Sequence, residues 1–409
     1  MVHIWKLTSR EEALHRWLEA VPAGPLASET LPWHQALGRV LTQAVVAPHP
    51  LPAFPRSSVD GYAVRAADVR GAGPETPVSL AVKGELFMGS APTLAVAAGE
   101  AVLIHTGGVI PEGADAVVML EDTRPVENGL EVLRAVAPGE NIIPVGADVQ
   151  TGEVVMAPGH ILRPQELGGL AAYGVLEVQV ARRPRLGVMA TGDELVPPKQ
   201  MPGPNQVRDV NSTSITALLR LHGAEATGYG IIPDDFSALV DTAAAILEVN
   251  DGLVISAGGS VSDRDMTARV IEALGAPGVL VRGVAIQPGR PTTLAVCNGK
   301  PVIGLPGNPV SALVSGWFFL RPLVWHLQGT RPPRVGEVRA RLLRGLGPTG
   351  NRERFVPVRL HDTETGLLAE PVEGASNLIF NLVRSGGLLP VPASHPPLPE
   401  GTEVTVWLW

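Results

Sequence analysis

From Arg185 to Leu327 the chain alternates short apolar runs with helical ones, and the connections between them are brief. Residues 185–191 read as a buried strand, 212–222 as a helix, 224–232 as a strand, and 234–249 as a helix opening on its own aspartates. A strand at 252–257, a helix at 265–274, strands near 279–286 and 301–305 and a long helix from Pro309 follow. Parallel strands need a crossover, normally a helix, so this alternation commits the segment to a mostly parallel α/β sheet. Such a sheet is covered on both faces, and the 45% of hydrophobic residues supplies the side chains to cover it.

The rest of the chain is organised differently. At 409 residues it exceeds a single domain of roughly 150 residues. Ser9-Arg10-Glu11-Glu12 has the form of a capping box and starts a helix over 9–21. Four prolines between Pro48 and Pro55 enforce extended chain and mark a boundary. Runs at 77–82, 101–105, 116–119 and 130–136, separated by Gly, Pro and Asp turns, predict a small β-rich domain. A helix near 164–172 precedes the α/β segment. Beyond it, Arg331-Pro332-Pro333 leads into a β-only tail with runs at 338–343, 355–360 and 402–408, read as a small barrel or sandwich.

Several function classes lack their signatures. The net charge is −8 with Lys and Arg scattered, so nucleic acid is not an expected partner. One cysteine, Cys297, cannot make a disulfide framework or a thiolate metal site, and it reads as a small buried hydrophobe. The first twelve residues lack the apolar stretch of a secretory signal. Arg321 and Pro322 interrupt the apolar run at 310–327, against a membrane span. The expected setting is a reducing cytoplasm, with no membrane partner. Neither Gly-x-Gly-x-x-Gly nor Gly-x-x-x-x-Gly-Lys-Ser/Thr occurs, and neither His-Glu-x-x-His nor Gly-x-Ser-x-Gly is found.

In parallel α/β sheets ligands bind beyond the carboxyl ends of the strands. Three such ends carry glycine: Thr191-Gly192-Asp193-Glu194, the stretch 258–265, and Gly304-Leu305-Pro306-Gly307-Asn308-Pro309, which opens a helix. Glycine lets the backbone approach a ligand, and helix starts attract anions, although each motif alone reads as a turn before it reads as a site. Acidic residues recur at loop tips: Asp60, Asp148, Glu194, Asp234 and Asp265. Gathered around an anionic substrate they would repel it unless a hard divalent cation sat between them, and oxygen ligands suit Mg²⁺. Alternatively Asp234 caps a helix and Asp60 turns the chain. Arg282 and Arg290 are candidates for binding phosphates, or ordinary surface charges.

Five stretches in order carry a resemblance. They are 57–65 (Ser-Ser-Val-Asp-Gly-Tyr-Ala-Val-Arg), 106–118 from Thr106-Gly107-Gly108, Ala190-Thr191-Gly192-Asp193-Glu194-Leu195, Gln287-Pro288-Gly289-Arg290-Pro291, and 304–312 (Gly-Leu-Pro-Gly-Asn-Pro-Val-Ser-Ala). Together they resemble the MoeA family of molybdopterin molybdenumtransferases, also seen in the gephyrin E domain. The resemblance implies four domains: a discontinuous one from 1–50 and 144–181, a β-rich one over 51–143, an α/β molybdopterin-binding one over 182–328, and a C-terminal β-barrel over 329–409. It also implies a homodimer, in which Asp60 and Thr106 face the acidic loops of a partner subunit. The implied reaction is Mg²⁺-dependent insertion of molybdate into adenylylated molybdopterin with release of AMP.

By this resemblance Asp60, Thr106, Glu194, Asp234 and Asp265 are catalytic, and Glu194, Asp234 and Asp265 hold the magnesium. Asp148, Thr191, Gly192, Ser260, Arg282, Arg290, Pro306, Pro309 and Ser311 bind substrate. Two departures stand out. The loop 258–265 is one residue shorter than the family's Gly-Gly-Val-Ser-x-Gly-x-x-Asp, and Gln287 replaces the first lysine of Lys-Pro-Gly-Lys-Pro. Competing readings are a molybdopterin adenylyltransferase, whose chains are short single domains, and a non-catalytic pterin-binding scaffold.

Overall fold

Gly252–Ser256, buried at all five positions, is a central strand of a six-stranded sheet. The computed structural model that contains it describes residues 7–89, 92–127, 129–257, 261–372 and 374–409, with the backbone alone for 261–265. The chain divides into two compact units. One takes Met1–Thr42, Pro158–Ala171 and Val175–Trp409, and the other takes Gln43–Ala157 and Ala172–Gly174.

In the first unit the sheet runs in the order Glu225–Ile232, Arg185–Thr191, Gly252–Ser256, Lys300–Leu305, Thr293–Cys297, Pro277–Arg282. The first four strands are parallel, in registers such as Leu186↔Gly252 and Leu253↔Val302. The last two are antiparallel. The expected mostly parallel sheet is therefore present, extended by a hairpin. The predicted run 279–286 splits: Pro277–Arg282 is the sheet edge, while Ile286–Gln287 pairs with Glu353 and Arg354 of the C-terminal barrel. Thr293–Cys297 is a strand that the sequence reading did not anticipate. Its signal is the Asn298-Gly299 pair, with φ of 51° and 80°, the positive values that a two-residue hairpin turn needs.

Alternation along the strands sends side chains to two cores. Val254 and Ile303 pack with the helices Asn211–Leu221 and Pro309–Leu327, while Leu253, Ile255 and Val302 pack with Phe236–Val249 and the helix Val261–Ala273. The N-terminal helix is Arg10–Ala20, with Ser9 accepting from the Glu12 N–H as the capping pattern predicts. Its Trp17 is fully buried and its indole N–H donates to the Ala295 carbonyl at 2.7 Å. Pro309–Leu327 is long and apolar enough to cross a membrane, yet it is a core helix here, with Phe319 and Val324 fully buried. Cys297 is buried as expected, and burial pushes its thiol up to about 11.

The C-terminal strands Glu337–Leu342, Glu353–Thr363, Gly366–Pro371, Gly387–Val391 and Glu403–Leu408 close on themselves, because the second pairs with both the third and the fourth. Closure removes the exposed edges of so small a sheet. In the second unit six strands are ordered Ala116–Met119, Gly61–Val64, Glu100–Ile104, Val78–Leu86, Gly129–Val132, Thr123–Val126, around a core including Val64, Val118 and Leu130.

Candidate functional site

The strand Arg185–Thr191 ends in an acidic rim. Thr191 is buried, and its hydroxyl donates to Asp234 Oδ1. The Asp234 N–H in turn lies 3.5 Å from Asp193 Oδ1. Asp234 is not the helix cap. That role falls to Asp235, which accepts from the Ala238 N–H at 2.9 Å and leaves Asp234 outside the helix Phe236–Val249. Glu194 folds back over Gly192, where a Cβ would stand 2.6 Å from Glu194 Oε2, so only glycine, at φ 150°, admits this arrangement. Thr191, Gly192, Glu194 and Asp234 are thus brought together. Ser260 and the side chain of Asp265 lie outside the described residues, among which no group of three His, Cys, Asp or Glu is close enough to hold a metal.

Along the same edge of the sheet, a cleft of about 760 Å³ opens between the strand ends and the C-terminal barrel. Arg290, Arg352 and Arg354 line it with Pro306, Asn308 and Ser311, and its described lining contains no carboxylate. Pro309 opens the helix Pro309–Leu327 at a position where its missing N–H costs nothing. The Asn308 side chain does not cap that helix. It donates instead to Ser376 Oγ at 2.9 Å, and the Ser376 carbonyl accepts from the Val310 N–H at 3.0 Å, so the barrel grips the helix start. Three arginines line the same cleft as the helix start, and their charge suits an anion.

Arg282 is not among the residues lining this cleft, and pairs with Glu272 at 3.6 Å. Arg352, Arg354 and Ser376 were missed by the sequence reading. The pattern Arg352-Glu353-Arg354 was the available signal, two like charges flanking the start of the strand Glu353–Thr363.

In the second unit the register Gly61↔Ile104 sets Asp60 beside the residues that follow Ile104. Close approach at Gly61 is obligatory, since a Cβ there would stand 2.0 Å from the Val118 carbonyl. Asp60 Oδ1 accepts from the Thr106 N–H at 2.7 Å and from its hydroxyl at 2.9 Å. These two bonds, the backbone one first, hold the exposed Asp60 carboxyl below its usual value of 3.8, and His105 adds a smaller pull. Asp148 is exposed in this unit, its N–H bonded to the Leu51 carbonyl at 3.0 Å.

A depressed carboxylate stabilises the fold above its unfolded pKa, and that contribution is lost as pH falls through the folded value, here below about 3.8. Thr106→Val keeps the backbone donor and removes the hydroxyl, so the Asp60 pKa is expected to rise only part of the way to 3.8. A side-chain NMR titration of both proteins checks this; an Asp60 pKa indifferent to the substitution would contradict the bonding described.

Three family models tile the chain: the MoeA N-terminal region (domains I and II) over residues 8–174, a probable molybdopterin binding domain over 187–326, and the MoeA C-terminal region (domain IV) over 339–409. A Nostoc protein named molybdopterin molybdenumtransferase is 36% identical over 379 residues, covering 91% of this chain and 86% of the relative. The chain belongs to the MoeA family. A second relative, molybdopterin molybdenumtransferase 2 of Mycobacterium tuberculosis, is 35% identical over 92% of this chain and 94% of its own length. The crystal structure of a MoeA protein of molybdopterin biosynthesis from Pyrococcus horikoshii superposes with a TM-score of 0.84 at 30% identity, covering 99% of this chain and 100% of that one. This MoeA family member is accordingly a transferase of molybdenum cofactor biosynthesis.

Proposed function

We propose that this chain inserts molybdate into adenylylated molybdopterin with release of AMP, in a Mg²⁺-dependent reaction carried out by a cytoplasmic homodimer. The observation that carries the proposal is the arginine-lined cleft, free of carboxylates in its described lining, on the same sheet edge as an acidic rim. Arg290, Arg352 and Arg354 bind the oxyanion and the substrate's phosphates, and Ser311, 5% exposed, orients them from the helix start. Pro306 and Asn308 form part of the cleft wall. The two dithiolene sulfurs of the pterin are the soft ligands that molybdenum prefers, so no protein thiol is needed and the buried Cys297 is no obstacle.

The rim fits a magnesium ion in its chemistry, since Glu194, Asp234 and the Thr191 hydroxyl offer hard oxygen donors only. Glu194 and Asp234, with Asp265, are the residues that would hold it. When bound, such a cation neutralises phosphate charge and polarises the phosphoanhydride. Asp60, held ionised by its two Thr106 bonds, is a catalytic carboxylate of the proposed reaction. Asp148, Gly192, Ser260 and Pro309 belong to the substrate-binding set, and Arg282 steers the anion from outside the cleft. Four domains, 1–50 with 144–181, 51–143, 182–328 and 329–409, complete the proposal.

Purified chain incubated with adenylylated pterin, molybdate and Mg²⁺ is expected to release AMP and yield molybdenum-bound pterin, with sedimentation giving twice the chain mass. Consumption of ATP with pterin alone would mean adenylyl transfer, and bound pterin without AMP would mean a scaffold. Either result sinks the insertion reading. Relatives that match along nearly the whole chain, rather than over the α/β segment alone, favour insertion.

A further inference from the structure

Asn211 opens the helix Asn211–Leu221 at the carboxyl edge of the sheet and is only 6% exposed. Its side chain does nothing for its own helix. Asp209, itself buried, accepts from the Ser212 N–H at 3.0 Å, while the Asn211 amide nitrogen donates outward to two other segments. One acceptor is Ser256 Oγ at 2.9 Å, the last residue of the central strand. The other is the Gly307 carbonyl at 2.8 Å, in the turn that lines the arginine cleft.

Asn211 does not itself line the cleft, yet it fixes the orientation of a peptide that does. In a planar trans peptide the C=O of one residue and the N–H of the next point in opposite directions. With the Gly307 carbonyl drawn toward Asn211, the Asn308 N–H is directed away from Asn211, and Gly307 and Asn308 are both among the residues that line the cleft. A donor held in place before the ligand arrives costs no reorganisation on binding. A buried amide donor is expensive unless its bonds are made, and the Asn211 nitrogen commits its donors to one strand end and to the turn beyond another, while its Oδ1 has no hydrogen-bond partner among the described residues.

We infer that Asn211 is a positioning residue for the anion cleft, holding the Gly307 carbonyl inward so that the Asn308 N–H is aimed at the bound oxyanion. The inference rests on the proposed reading of the cleft as an oxyanion site. It separates two bonds of one side chain: the bond to Gly307 sets anion affinity, and the bond to Ser256 serves the fold.

Tungstate binding by calorimetry tests this on the full chain. Asn211→Ala and Asn211→Asp, which remove the donors, are expected to weaken tungstate binding about tenfold. Ser256→Ala, which keeps the Gly307 bond, is expected to stay within about twofold while lowering the melting temperature. Equal losses in Ser256→Ala and Asn211→Ala, or wild-type affinity in a folded Asn211→Ala, would overturn the assignment. A nitrogen-15 NMR titration of wild type needs no variant: the Asn308 amide is expected to shift on adding tungstate, and an unmoved amide refutes the inference. Wild type that binds tungstate yet releases no AMP refutes the proposed reaction and leaves the Asn211 comparison readable. Wild type that binds no oxyanion refutes both.

Discussion

A chain carrying Arg352→Ala and Arg354→Ala together is expected to bind molybdate at least about a hundredfold more weakly than wild type, with each charge-assisted hydrogen bond contributing roughly 1.5–3 kcal/mol. Both side chains are half-buried in the wall that the barrel lends to the cleft, and the described lining offers only Arg290 as a further guanidinium. Calorimetry at two salt concentrations measures the effect. Lysines at both positions are expected to recover part of the affinity, because charge is restored while the two-pronged geometry is not. An affinity within about threefold of wild type in the alanine pair would mean that the anion is held elsewhere.

Asp60→Ala and Asp234→Ala are each expected to lower kcat for molybdenum insertion by about 10²- to 10³-fold with little change in melting temperature. Stability is largely spared because both carboxylates are exposed, and the two Thr106 donors released by Asp60 turn to water as their new acceptor. In Asp234→Ala the Thr191 hydroxyl, which is buried, loses its acceptor, so the small stability loss expected is larger there than in Asp60→Ala. Near wild-type turnover in either variant would remove that residue from the chemistry.

What the sequence disclosed follows from range. The strand stretches 186–190 and 253–255 are buried on both faces and carry no polar side chain, a pattern visible within a few residues. The helix expected near 164–172 is Pro164–Ala172, its start marked by proline. Thr293–Cys297 escaped because an equally apolar run gives no sign of direction, and only Asn298-Gly299 announces a hairpin. The site shows the same division. Thr191 and Asp234, 43 positions apart, were both named from the acidity and glycine at strand ends, yet nothing local said that Asp235 rather than Asp234 caps the helix. Arg352, Arg354 and Ser376 reach the cleft only because the barrel closes and packs against the sheet edge, a relation that no stretch of chain encodes by itself.

Ser376 reaches across from the terminal barrel to the first turn of Pro309–Leu327 and takes over the end-stop that Asn308 declines to provide. The barrel thus supplies one jaw of the cleft. Under the proposed reading, grafting the 345–381 portion of a relative onto this chain is expected to change anion affinity without touching a single strand of the α/β core.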